Sequence, residues 1–220
     1  MFDTDGFEVV EGVVDAEACE ALAAAIPQAA GAQAGTRNLM DLGWCRTLAA
    51  RLRGEPRLRG LIPDGAVAVQ CTYFEKSREG NWLVPMHQDL SIPVAERVEH
   101  AELRGWSEKE GALFVQPPDA LLAGMIALRL HLDPCGPEDG PLRVVPGSHR
   151  LGRIDAEGLP AARRGAAEVA CLVDRGGVLA MRPLLLHASS RSTGAGRRRV
   201  LHFLFGPREL PCGLRWRTTA

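Results

Sequence analysis

The sequence predicts a mainly β domain, an antiparallel jelly roll or sandwich with N-terminal helices packed on its sheet. Three observations carry this. Beyond residue 66 the chain breaks into many short apolar segments separated by Gly- and Pro-containing turns. Capped helical patterns occupy the first quarter. The length, 220 residues, suits one sizeable β-rich domain, so a single domain over residues 1–220 is expected.

The elements follow in order. Phe7 to Val13 reads as a strand and Asp15 as the N-cap of a helix that places Cys19, Leu22 and Ile26 on one face. Ala29 to Gly35 is a Gly/Gln/Ala loop, Trp44 to Arg53 a second helix, and Pro56 to Leu61 a short one. Val67, Val69, Cys71 and Tyr73 then alternate with Ala68, Gln70, Thr72 and Phe74, the period of a strand. Leu83 to Asp89 is read as another strand. Met125 to Asp133 has Ile126, Leu128, Leu130 and Leu132 on one face and Ala127, Arg129, His131 and Asp133 on the other. Leu142 to Val145, Val169 to Val173, Val178 to Met181, Leu184 to His187 and Arg199 to Leu204 complete the set. Turn residues such as Asp174-Arg175-Gly176-Gly177 separate them. Between strands, Ser91 to Pro118 is long, charged and helical-looking, and is expected to be a lid insertion spanning residues 91–118.

Composition excludes several functions. The formal net charge is -1, and the basic runs Arg51-Leu52-Arg53 and Arg197-Arg198-Arg199 are short. A nucleic-acid partner needs a broader basic footprint, so none is expected. No apolar stretch approaches the ~18 residues of a membrane span. The start, Met1-Phe2-Asp3-Thr4-Asp5, lacks the basic-then-apolar order of a signal peptide. None of the six cysteines forms a C-x-x-C pair. They are read as reduced thiols in a cytoplasmic protein. The partner class left is a small molecule; oligomeric state is left open.

The chemistry concentrates in His87-Gln88-Asp89 and His187. Residues i and i+2 of a strand project together, so one short segment offers His87 and Asp89 to one metal. Two His and a carboxylate make the facial triad of a non-haem Fe(II) oxygenase, which leaves metal positions open for a co-substrate and O2. H-x-D alone is also compatible with a polar strand edge, and a lone His187 with a core histidine. Their company adds weight: Ser189 shares a strand face with His187. Arg198 opens the next strand, where hairpin pairing is expected to bring it near Ser189. A guanidinium at the mouth of an apolar strand is costly unless it meets an anion.

Three segments, Asn81-Trp82-Leu83-Val84-Pro85-Met86-His87-Gln88-Asp89, Gly140-Pro141-Leu142-Arg143-Val144-Val145-Pro146-Gly147-Ser148-His149 and Pro183-Leu184-Leu185-Leu186-His187-Ala188-Ser189, are more specific. With them the chain resembles the phytanoyl-CoA dioxygenase family of Fe(II)/2-oxoglutarate oxygenases. The resemblance implies a double-stranded β-helix fold and an enzyme that hydroxylates a small-molecule metabolite, using Fe(II), O2 and 2-oxoglutarate and releasing succinate and CO2. It implies His87, Asp89 and His187 as iron ligands, and Arg198 as the anchor of the distal 2-oxoglutarate carboxylate with Ser189 assisting. Gln88 and Lys76 match further co-substrate positions. Related halogenases replace the carboxylate with a small residue, so Asp89 implies hydroxylation or another oxidation, not halogenation. The chain ends soon after the Arg198 strand, whereas the phytanoyl-CoA enzymes continue, so an acyl-CoA substrate is not expected.

Candidate substrate contacts are Trp82, Met86, Gln116, Arg129 and His131. They mix apolar and cationic character and lean toward a metabolite bearing a carboxylate or other anion. Arg129 and His131 are equally compatible with a salt-bridged sheet surface. His149 is read as structural, His202 as a core or ligand-supporting residue and His100 as solvated. The competing functional class is a non-catalytic jelly-roll binding protein that keeps the pocket without the reaction.

Overall fold

Period-two alternation from Val67 onward builds three antiparallel sheets in the computed structural model, which describes residues 2–26, 35–78 and 80–220. The elements run α1 (Phe2–Asp5), β1 (Phe7–Val10), α2 (Ala16–Ala25), β2 (Gly35–Thr36), α3 (Gly43–Gly54), β3 (Val67–Lys76), β4 (Val84–His87), β5 (Ile92–Val94), β6 (Arg104–Lys109) and β7 (Ala112–Gln116). They continue with α4 (Asp119–Ala123), β8 (Ile126–His131), β9 (Leu142–Val144), α5 (Leu159–Arg163), β10 (Val169–Cys171), β11 (Val178–Met181), β12 (His187–Ser189) and β13 (Arg198–Gly206). The large sheet has the order β1-β11-β8-β13-β3-β2 and the facing sheet β10-β9-β12-β4. The third sheet is β5-β7-β6.

Alternation along β8 and β13 decides which side is core and which is site. Ile126, Leu128 and Leu130 of β8 and Leu201, Phe203 and Phe205 of β13 are fully buried and pack under the helical layer. Burying a side chain of this size is worth roughly 1.5–3 kcal/mol. Asp15 caps α2 by accepting from the Ala18 amide at 2.8 Å, and α3 contributes Cys45, Leu48, Ala49 and Leu52. The opposite faces of β8 and β13 turn Arg129, Arg198, His202 and Leu204 into the cleft between the two main sheets. This is the jelly-roll arrangement expected from the sequence. All six cysteines are free, and no helix among the described residues is long and apolar enough to cross a membrane.

Four local expectations need correction. The strand expected over Leu83 to Asp89 ends at His87, so Asp89 reaches the site from the loop. The run Leu184 to Leu186 is not a strand. Pro183 is the second residue of a turn closed by the Leu185 amide on the Arg182 carbonyl at 3.0 Å, and β12 begins only at His187. Residues 91–118 are not helical but form the β5-β7-β6 sheet. The β6–β7 hairpin turns through Glu110 and Gly111, both at positive φ (53° and 73°), the geometry of a type I′ turn. Its charged residues misled the helical reading; period-two burial of Ala112 and Phe114 sets the structure. Finally, β12 and β13 belong to different sheets. Ser189 and Arg198 approach across the sandwich, not along a hairpin. The loop expected over Ala29 to Gly35 lies outside the described residues except for Gly35, which opens β2.

Candidate metal centre and co-substrate pocket

The register of β12 against β4 sets His187 opposite His87. Their rings lie 4.2 Å apart between centroids. Asp89 joins them from beyond the strand because its amide donates to the Pro183 carbonyl at 2.9 Å. Gln88 makes that loop rigid. Its side-chain amide donates to the Gly152 and Leu184 carbonyls at 2.8 and 2.6 Å, and its oxygen accepts from the Ile154 amide at 2.8 Å. The ligand atoms of His87, Asp89 and His187 all fall within 4.8 Å of one another.

The tautomers follow from the partners. Nδ1 of His87 faces the Pro85 carbonyl and Nδ1 of His187 the Leu185 carbonyl, each at 2.8 Å. A carbonyl only accepts, so both Nδ1 atoms carry hydrogen and both Nε2 atoms present lone pairs. These lone pairs point at Asp89: His87 Nε2 is 3.8 Å from Oδ1 and His187 Nε2 3.7 Å from Oδ2. Asp89 Oδ2 is buried with no hydrogen-bond partner. Acceptors facing acceptors in a partly dry site repel unless a cation lies among them. The donor set therefore fits a divalent metal, and two imidazole nitrogens with one carboxylate suit iron.

His202 Nε2 is also 3.8 Å from Asp89 Oδ2, yet its chemistry is opposite. Its Nδ1 sits 2.8 Å from the Arg129 guanidinium, which can only donate. Neutral His202 thus carries hydrogen on Nε2 and directs it at Asp89. Burial, then Arg129, push its pKa down to about 3, which keeps it neutral. With its Nδ1 lone pair spent on Arg129 and hydrogen on Nε2, it has no lone pair to offer a metal. Burial likewise takes His187 down to about 4, leaving it free to ligate. For Asp89, burial acts upward, but the nearby His187, His202, His87 and Arg129 outweigh it and the net shift is downward.

The cavity beside this cluster, about 480 Å³, is lined by Trp82, Phe114, Gln116, Arg129, Ser189 and Arg198 among others. Arg198 is buried, donates to the Gly140 carbonyl at 2.6 Å and leaves Nε without a partner. Gly140 sits at φ 63°, and a Cβ there would lie 2.5 Å from the Ser190 carbonyl oxygen; only glycine brings this carbonyl to the guanidinium. Lys76 pairs in register with Arg198, spans the sandwich to Ser189 Oγ at 3.0 Å and also donates to the Ser190 carbonyl.

Several sequence candidates lie outside the cavity or line it in a different role. Met86 faces away from the cavity into a small cluster with Val145, Leu186 and Ala188, because it alternates with His87 on β4. His131 is buried but does not line the cavity. Gln88 has both amide hydrogens committed to backbone carbonyls, so it orients the site and has none left for a co-substrate. Arg129 is not a salt-bridged surface residue; among the described residues it pairs with no carboxylate. His149 is remote, its Nε2 3.3 Å from the Asp3 carbonyl. His100, Glu102 and Cys212 also cluster within 4.8 Å, but at the surface. Sequence reading missed Lys109 and Arg37 as cavity residues. The Lys109-Glu110-Gly111 turn was the available signal.

A jelly roll whose cavity ends in two imidazole lone pairs and a carboxylate defines the class of mononuclear non-haem iron oxygenases. The chain belongs to the phytanoyl-CoA dioxygenase (PhyH) family, whose model matches residues 2–200. It is thereby an Fe(II)/2-oxoglutarate-dependent oxygenase. Similar solved structures include EctD from S. alaskensis, 20% identical over 97% of this chain and 79% of that one, TM-score 0.66. HygX from Streptomyces hygroscopicus with nickel and 2-oxoglutarate bound is 19% identical over 94% and 84%, TM-score 0.61. The α-ketoglutarate-dependent carbocyclase SnoK from nogalamycin biosynthesis is 14% identical over 94% and 82%, TM-score 0.64. No curated protein matches the sequence.

The tautomer argument separates three histidines at nearly equal distance from one carboxylate. His87→Ala, Asp89→Ala and His187→Ala are each expected to abolish Fe(II) binding or turnover, whereas His202→Ala keeps the metal. Calorimetric titration with Fe(II) under anaerobic conditions reads this. Near-normal affinity and activity in any of the first three would remove that residue from the ligand set.

Proposed function

We propose that the enzyme hydroxylates a small-molecule metabolite in a cytosolic setting, consuming O2 and 2-oxoglutarate and releasing succinate and CO2. His87, Asp89 and His187 hold iron, and Arg198 holds the distal carboxylate of 2-oxoglutarate. The observation that carries the reading is the pairing of a metal-shaped lone-pair cluster with a buried, carboxylate-free guanidinium in the same cavity. When bound, iron and 2-oxoglutarate supply the oxidising chemistry: one oxygen atom of O2 ends in succinate and the other in the hydroxylated product.

The chain's own residues bind, orient and exclude water. Arg198, with Nε unpartnered, receives the co-substrate carboxylate in a charge-assisted pair. Ser189 stands beside it, held by Lys76. His202 stands 3.8 Å from the Asp89 carboxylate as a neutral neighbour. Phe114, with Trp82, gives the cavity apolar wall. The six free cysteines support the reducing setting.

Residues 91–118 form the wall that opens for exchange. Thr36 Oγ1, the Arg37 amide and the Arg37 guanidinium all donate to the Glu110 carboxylate, at 2.9, 2.8 and 2.8 Å, and Asn38 donates to its carbonyl at 2.8 Å. Opening therefore requires release of this latch at the hairpin tip.

Three outcomes test these roles. Arg198→Ala is expected to raise the KM for 2-oxoglutarate strongly, since losing a desolvated charge-assisted pair costs on the order of 2–5 kcal/mol; Ser189→Ala acts in the same direction by less. Unchanged 2-oxoglutarate dependence in Arg198→Ala would move the anchor to Arg129 or Lys76.

The second outcome is a proton count. Burial, then Arg198 and Arg129, push the Lys76 pKa down to about 7. Above pH 7 the ligand-free ammonium is thus largely neutral. A bound dianion favours its charged form, so binding takes up a proton and weakens as pH rises above 7. Calorimetry in buffers of different ionisation enthalpy reads the uptake, and Lys76→Met abolishes it. Equal uptake in that variant would assign the proton elsewhere.

Third, hydrogen exchange across residues 91–118 is expected to slow when 2-oxoglutarate and a redox-inert metal bind. Equal, strong protection with and without them would make the hairpin a fixed wall.

A further inference from the structure

The cavity holds more positive charge than the metal centre and co-substrate use. Among the described residues, Arg37, Lys109, Arg129 and Arg198 line it, and Lys76 lies directly behind. Asp89 is the single carboxylate in that lining. Arg37 is neutralised by Glu110 at 2.8 Å. Among the described residues, no carboxylate pairs with Lys76, Lys109, Arg129 or Arg198. On the co-substrate reading above, a divalent metal and Asp89 sum to one positive charge, and 2-oxoglutarate turns this to one negative. Arg198 cancels that remainder. Arg129 and Lys109 stay uncompensated, with Lys76 in addition whenever it is protonated. Cations taken from water into a half-dry pocket are retained only against a cost, which a bound anion repays.

Arg129 is already engaged with His202, and its guanidinium carbon lies 5.4 Å from the Phe74 ring centroid. Lys109 has no such commitment. It sits at the end of β6, opposite Ala112, on the hairpin face that also carries Phe114 and Gln116 into the cavity. Its ammonium lies 5.1 Å from the Phe114 ring centroid, a contact that orients it without neutralising it. Burial, then Arg37, lower its pKa while Asp89 raises it, which places it in electrical contact with the metal-binding carboxylate. The Glu110 latch fixes the neighbouring turn, so Lys109 is held over the cavity when the hairpin is closed.

We propose that the primary substrate is a small anion, bearing a carboxylate or a phosphate, and that Lys109 is the residue that binds that group. This rests on the assignment of Arg198 to 2-oxoglutarate. Binding the substrate's anion to the hairpin also couples its presence to closure, because the cation that grips it moves with residues 91–118.

The test is substrate-stimulated succinate release from the Fe(II)-loaded enzyme. Small carboxylates and phosphate monoesters are screened against their amide and alcohol counterparts, with inorganic phosphate as competitor. Stimulation is expected only in the anionic half and is inhibited by phosphate. Lys109→Gln raises the half-saturating concentration of a stimulating anion at least tenfold, Lys109→Arg restores it, and Arg198→Gln instead shifts that of 2-oxoglutarate. Equal stimulation by neutral counterparts, no stimulation by any anion, or an unchanged half-saturation in a folded Lys109→Gln would overturn the proposal. Failure of the unaltered enzyme to convert any 2-oxoglutarate, even slowly without substrate, would overturn the underlying co-substrate assignment instead.

Discussion

Two imidazoles are forced to aim lone pairs at a carboxylate, and the rest of the molecule is arranged around that constraint. Each histidine donates Nδ1–H to the carbonyl two residues before it, Pro85 for His87 and Leu185 for His187. Each thus has its tautomer and ring direction set by its own backbone. The pairing of β4 with β12 then brings the two rings together. Asp89 lies off the strand, and the bonds of its amide and of the Gln88 side chain to residues 183 and 184 hold it in place. The loop that ends one strand is therefore tied to the turn that begins the other. The proposed ligand set is pre-organised by hydrogen bonds that do not involve a metal, so binding would not need to order the chain first.

The same logic explains how buried like charges are tolerated. Lys76 and Arg198 are direct cross-strand neighbours, which is unfavourable for two cations. Their donors find uncharged acceptors instead, Ser189, Ser190 and Gly140. Neutral acceptors satisfy hydrogen bonds but do not cancel charge. The unliganded protein therefore carries an electrostatic imbalance that anions relieve. Arg199, one residue along β13, points the other way and is matched by Asp133 at 2.7 Å. A single strand thus separates an arginine matched by a carboxylate from one that, among the described residues, has none.

Much of this was legible in the sequence. The β-rich class, the helix α2 capped by Asp15, α3, and β8 with its two faces all follow from period-two or helical spacing plus residue chemistry, and the sequence already pointed to the H-x-D…H set and Arg198 that line the cavity. What was not legible depends on the third dimension. Gln88 reads as a co-substrate contact until its amide is seen to be spent on Gly152, Leu184 and Ile154. Met86 and His131 sit beside site residues in sequence, but strand alternation turns Met86 to the opposite face and depth sets His131 behind the cavity. Residues 91–118 look helical because charges dominate them, whereas the turn at Glu110-Gly111 and the small apolar set of β7 decide for a sheet.

The spacing along β13 accounts for why one strand governs both ends of the cavity. Arg198 and His202 are four residues apart on the same face, roughly 13 Å at ordinary strand rise. His202 Nε2 lies 3.8 Å from the Asp89 carboxylate, and Arg198, the proposed co-substrate anchor, stands at the other end. On the proposed assignment, a dianion bridging metal and arginine would be measured by a rigid ruler whose opposite face, Leu201, Phe203 and Phe205, is locked into the helical core. A flexible loop carrying the same arginine would accept acids of several lengths. On that assignment, placing it on a central strand would let the fold itself select chain length, and would leave variation in the primary substrate to walls outside that strand, the β6–β7 hairpin among them.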